Sequence, residues 1–252
     1  MSRPMRRLSR WTLYAAAFIV PPALFGALRL RELATVPPVP SLAAPASVAR
    51  PAYDPAKPTV VILLGADVTE ITDALGPYEI FARAGTFNVY AVAPERRPTL
   101  LSGGLGVLPH FSLAEIDALL GGRPPALVVV PQIPFVTSPE NRPLLGWMRR
   151  QAAAGATMFS WCTGAHVLAE AGLLDGLTAT AHWGDLAAME RDYPRVGWVR
   201  GVRWVDHGKI VTSAGITSGI DASLRVLGRM AGDTLARRVA RELRYPNYRF
   251  AV

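Results

Sequence analysis

From Thr59 onward, short apolar runs alternate with segments whose apolar residues recur every three to four positions. This alternation predicts β and α elements in turn around a largely parallel sheet. The predicted strands are Val60–Leu64, Phe87–Ala93, Ala126–Val130, Ala156–Ser160 and Lys209–Thr212. They are short and mostly unalternated, as expected where helices cover both faces of a sheet. Between the third and fourth, Ser138-Pro139 offers a cap and a first-turn proline for a helix with Leu144, Leu145, Met148 and Ala152 on one face. Gly155 supplies its stop. Ile216, Ile220, Leu224 and Leu227 mark a later helix, and a basic one runs from Asp233 to about Leu243.

The first 58 residues follow other patterns. Trp11 to Leu28 holds no charged side chain over 18 residues, enough to cross most of a bilayer core as a helix. Arg3, Arg6, Arg7 and Arg10 precede it, which predicts a cytoplasmic N-terminus and an extracytoplasmic domain. A cleaved signal peptide is the competing reading, but the apolar run ends in Arg-Leu-Arg and not in small residues. Residues 33–58 are rich in Pro, Ala and Ser without amphipathic period, the composition of a tether. The expected organisation is an anchor segment at 1–32, a tether at 33–58 and a globular domain at 59–252.

Half of the 252 residues are apolar, so the chain can bury a full core and a disordered chain is excluded. The formal charge of +8 does not call for nucleic acid, because residues 1–32 supply +5 of it. With one cysteine, neither an intramolecular disulfide nor a multi-cysteine metal site can form, and no cofactor is expected. That cysteine, Cys162, falls where a strand turns abruptly into a helix, Ala156 to Gly172. A thiol at this corner lies at the C-terminal sheet edge, where α/β ligand sites gather, and faces free amides of a helix start. This placement predicts a functional thiol with a lowered pKa. The alternative is a packed, inert cysteine.

Several segments carry a family resemblance. Cys162-Thr163-Gly164-Ala165, the run Leu168–Gly176 and Ala179-Thr180-Ala181-His182-Trp183 form the most specific block. Asp73-Ala74-Leu75-Gly76-Pro77, Ser102-Gly103-Gly104-Leu105 and Thr212-Ser213-Ala214-Gly215 match in order around it. Over about residues 59–245 the chain resembles the DJ-1/ThiJ/PfpI superfamily of class I glutamine amidotransferase-like folds. The branch it resembles contains isonitrile hydratases and the sensor domains of AraC-type regulators. The resemblance implies a flavodoxin-like sandwich with a mostly parallel sheet, and a homodimer is a family expectation. It further implies that Asp73 hydrogen-bonds Cys162, with Thr163 beside them in a catalytic group. Helix capping is the competing role for Asp73.

One departure is Pro131-Gln132-Ile133-Pro134, where relatives carry a Pro-Gly-Gly turn. Backbone amides of glycine there can approach an oxyanion, so Gln132 and Ile133 change that wall and become candidate ligand contacts. Gly104 and His182 complete the candidate ligand-binding set. His166, one turn beyond the cysteine, reads as a packing residue. The leading functional reading is a cysteine-dependent hydrolase, hydratase or lyase acting on a small electrophile. A ligand-sensing module without the DNA-binding part and a thiol-based stress or redox protein are the alternatives. Expected partners are a small molecule and, through the N-terminal helix, a membrane.

Overall fold

The computed structural model describes residues 48–245. In chain order, β1 (Thr59–Leu63) and β2 (Val68–Thr69) precede α1 (Ile71–Ala84), then come β3 (Asn88–Ala93), β4 (Thr99–Leu101), β5 (Leu105–Val107) and β6 (Phe111–Ser112). They lead to α2 (Leu113–Leu120), β7 (Leu127–Val130), α3 (Arg142–Ala153), β8 (Thr157–Ser160), α4 (Gly164–Glu170) and β9 (Thr178–Ala179). The rest is α5 (Leu186–Asp192), β10 (Gly197–Trp198), β11 (Trp204–Asp206), β12 (Ile210–Ser213), α6 (Ile216–Ala231) and α7 (Asp233–Glu242). Seven strands form the main sheet in the order β11-β12-β8-β7-β1-β3-β6. All neighbours run parallel except β11 against β12.

Helices cover both faces, which is why the strands carry apolar residues without alternation. Val61, Leu63, Val128, Val130 and Met158 pack toward α2 to α5. Their neighbours Val60, Ile62, Leu127, Val129 and Phe159 point the other way, into the layer of α1, α6 and α7. In α1 the buried residues Ala74, Pro77, Ile80, Phe81 and Ala84 keep the helical spacing, and Gly85, at φ 74°, ends the helix in the left-handed region. The chain leaves β1 toward β3 on one side and returns to β7 on the other. This reversal opens a crevice beyond the carboxyl ends of β1, β7 and β8.

Two local expectations are corrected. The helix expected from Ser138 begins at Arg142 with Asn141 as its cap residue. Ser138 instead closes a turn, accepting at its carbonyl from the Asn141 and Arg142 amides. The Asn141 side-chain oxygen meanwhile accepts from the Ala66 amide at 2.7 Å, so a tertiary contact outweighs the local start signal. Ile216, the first of the apolar residues that mark its helix, is 48 % exposed, because the first turn of α6 reaches the crevice mouth. Among the described residues no helix is long and apolar enough to cross a membrane. The expected span, Trp11–Leu28, lies outside them.

Candidate functional site

Trp161 fixes the elbow from below. Its indole Nε1 donates to Ser223 Oγ at 3.1 Å, and its ring lies against Gly219 and Gly76, where a Cβ would stand 2.4 and 2.7 Å from it. The next residue, Cys162, turns the chain at φ 51°. A side chain in this region costs about 1–2 kcal/mol, a strain typical of functional positions. Gly164 lets the turn close: a Cβ there would be 2.0 Å from the Val130 carbonyl oxygen, so the position admits glycine alone. Cys162, 9 % exposed, lines a cavity of about 500 Å³ at the crevice.

Asp73 enters the cavity from α1. It is not the cap of that helix. Glu70 is, accepting from the Asp73 amide at 2.8 Å while also holding the Thr72 hydroxyl at 2.6 Å. Relieved of capping, the Asp73 side chain turns inward and is wholly buried. Its Oδ2 accepts from the Gln132 amide at 3.1 Å, and its Oδ1 is buried with no hydrogen-bond partner. Burial, with the nearby Glu70 carboxylate adding to it, pushes the Asp73 pKa up to about 7; the Gln132 amide pulls the other way. Near neutrality this carboxyl is therefore part acid and part carboxylate.

The thiol departs from expectation. Burial foremost, then the Asp73 carboxylate, pushes the Cys162 pKa up to about 11, against weaker opposing pulls from the Thr163 hydroxyl and amide. The expected acidic thiol fails for two physical reasons. The helix that follows it, with Thr163 as its cap residue, has only seven residues, too short for a strong field at its start, and the elbow buries the sulfur. Thr163 Oγ1 lies 3.8 Å from the sulfur and donates to Asp185 Oδ2 at 2.7 Å. That hydroxyl proton is thereby committed, which leaves the thiol as donor to the Thr163 oxygen.

The cavity thus gathers Cys162, Asp73 and His182, with Thr163 touching the sulfur. Thr180, Ala181, Leu186, Val202 and Ile216 make the remaining wall largely apolar, and Trp183 stands 78 % exposed at its rim. The other three candidates lie behind or beside it. Ile133 is buried in the core, Gln132 contributes its backbone amide to Asp73, and Gly104 occupies the exposed β4–β5 turn at φ 86°. His166 packs edge-on against Tyr193 at 5.6 Å, as a packing residue should. Sequence reading missed Glu70 and Asp185. Glu70-x-x-Asp73 and His182-x-x-Asp185 are visible spacings, but glutamate is an uncommon cap and a lone acid three residues from a histidine is a weak signal.

Known proteins agree with this architecture. The sequence is 32% identical over 175 residues to the isonitrile hydratase of Pseudomonas putida, spanning 69% of this chain and 72% of that protein. It is 29% identical over 189 residues to the HTH-type transcriptional regulator CdhR of Pseudomonas aeruginosa, 72% of this chain but only 53% of the regulator. The chain thus spans about half of that regulator's length. Among solved structures, a ThiJ/PfpI family protein from Pseudomonas syringae superposes with TM-score 0.64 at 22% identity, over 81% of this chain and 84% of that one. An AraC family transcriptional regulator from Pseudomonas putida gives 0.62 at 19%, over 74% of this chain and all of that one. These two show a shared fold. The DJ-1/PfpI family profile matches residues 58–229, and the chain belongs to the DJ-1/PfpI family.

Proposed function

We propose that this protein is a cysteine-dependent hydratase or hydrolase of small neutral electrophiles, with Cys162 as nucleophile and Asp73 as its proton-handling partner. The observation that carries this reading is Asp73, which lines the cavity that holds the strained thiol and whose Oδ1 is buried without a hydrogen-bond partner. A thiol held neutral beside a carboxyl that is half protonated near pH 7 suits an electrophile activated by protonation. With an isonitrile, Asp73 would deliver its proton to the terminal carbon as sulfur bonds to that carbon, and the thiol proton would return to Asp73. Water would then add to the same carbon and release sulfur, leaving a formamide. No net charge develops in the apolar pocket, so the cost of burying one is avoided.

The isonitrile hydratase relative supports this choice of substrate class. The regulator relatives support a second reading, a ligand sensor in which the thiol only lines the pocket. The redox reading loses ground, because a buried thiol with a pKa near 11 carries little thiolate to oxidise. The test is conversion of small isonitriles to formamides by the full chain, followed by NMR. Formamide production supports the enzyme; binding without conversion supports the sensor.

We also read Trp11–Leu28 as a membrane anchor with the domain outside the cytoplasm, from the arginines that precede it. A reporter that is active only outside the cytoplasm, fused after Val252, should be active. Activity of a cytoplasm-only reporter at the same place would reverse the topology.

A further inference from the structure

A second cavity, of about 450 Å³, opens at the other end of the main sheet, where β1, β7, β8 and β12 begin. Leu120, Pro125 and Met230 give it apolar walls, the first two of them buried. Lys57, Arg123 and Lys209 line the same cavity, and among the described residues no acid does. Of the 27 lysines and arginines in the chain only two are lysines, Lys57 and Lys209. The fold brings both, from distant parts of the sequence, to this one cavity.

The three charges are not neutralised within the described residues. Lys209 Nζ donates to the Gly155 carbonyl at 2.5 Å and Arg123 Nη2 to the Tyr53 hydroxyl at 3.0 Å, both neutral acceptors. The Lys57 ammonium has no partner among the described residues. Acids close by in sequence are engaged elsewhere: Asp54 Oδ1 accepts from the Ala56 amide at 2.9 Å, and Asp206 is held by Arg225 and Arg229. Like charges gathered in one cavity repel one another, a cost that a bound anion would relieve. Thr157, only 8 % exposed, lines the cavity as well and adds a hydroxyl that has no partner among the described residues.

We propose that this cavity binds a small organic phosphate, its anion held by Lys57, Arg123 and Lys209 and its apolar part packed on Leu120, Pro125 and Met230. The lysines point to that class of anion. Arginine presents a flat, fixed fork, whereas an ammonium is a compact charge whose three donors turn to meet a tetrahedral group of oxygens. Three cations also match a group that carries nearly two negative charges at neutral pH. A soluble phosphate monoester and the headgroup of a phospholipid share this chemistry. The site lies apart from the thiol, and the inference does not depend on the reaction proposed there.

Titration calorimetry of the full chain with phenyl phosphate tests the site. Binding should saturate at one molecule per chain, inorganic phosphate should bind about 10-fold more weakly for want of the apolar part, and phenol should give no binding heat. Lys57→Ala and Lys209→Ala should each weaken phenyl phosphate by about 10-fold, and the double variant should abolish its binding. Lys57→Arg, which keeps the charge, should lose less than Lys57→Ala. The Lys57 ammonium makes no hydrogen bond within the described residues, so Lys57→Ala reads the site without disturbing the fold. Cys162→Ser should bind as wild type does, which separates this cavity from the one at the thiol. Dihexanoyl phosphatidic acid distinguishes the sources: tighter binding than phenyl phosphate through the same lysines assigns the site to a phospholipid headgroup, and weaker binding assigns it to a soluble ester. Failure of both phosphates to saturate the wild-type chain overturns the proposal, as does equal affinity in the wild type and the double alanine variant.

Discussion

Cys162→Ser should lower turnover of any isonitrile or activated amide by about 1,000-fold or more while leaving fold and ligand affinity in place. Serine is nearly isosteric and can occupy the same elbow at φ 51°, so the packing around Trp161 and Gly164 is kept. Its oxygen, however, is a far weaker nucleophile than sulfur, and the proton on it is held more tightly. A neutral site that relies on proton exchange with Asp73 has no other means to activate a hydroxyl. Turnover by matched amounts of folded wild-type and serine forms is the check. Retained turnover in the serine form would remove Cys162 from the chemistry and favour the sensor.

Asp73→Asn should stabilise the protein at pH 8 by about 2–4 kcal/mol relative to wild type, and hardly at all at pH 4. The sign follows from the pKa. Asp73 ionises with a pKa of about 7 in the fold against 3.8 in its ordinary state, because burial opposes the charge. Folding thus favours the protonated form. The stability this confers is fully present below about pH 4 and is lost as pH rises through about 7. Asparagine does not titrate and keeps an oxygen for the Gln132 amide, so its stability curve should stay flat over that window. Urea melts of both proteins at pH 4 and pH 8 measure the difference. A wild type as stable as the variant at pH 8 would mean that Asp73 carries no buried-charge penalty. A more stable variant at pH 8 would mean that the carboxyl is retained at a cost in stability, as expected for a group kept for function.

The parallel sheet was legible because its five long strands are apolar runs, and each was located to within a residue or so. The two-residue strands were not, since Val68-Thr69 and Thr178-Ala179 pair only because the fold brings their partners near. The elbow could be read from Trp161-Cys162-Thr163-Gly164, as glycine is the one residue that the approach to Val130 permits. Asp73 emerged through the resemblance; its release from capping depends on Glu70, whose role is visible only in three dimensions. Asp185 was missed for a similar reason. Its bond to Thr163 spans 22 residues, and no local pattern announces such a contact. The thiol's weak acidity was misjudged because helix position is written in sequence whereas burial is not.

The rate of iodoacetamide alkylation of Cys162 against pH, in wild type and in Asp73→Asn, tests the pairing of thiol and carboxyl most directly. Alkylation tracks the thiolate. The wild-type rate should keep climbing through pH 10 without a plateau, in keeping with a pKa near 11, and Asp73→Asn should titrate at lower pH because a charge that opposes the thiolate is gone. A wild-type plateau below pH 8, or two curves that superimpose, would contradict the account.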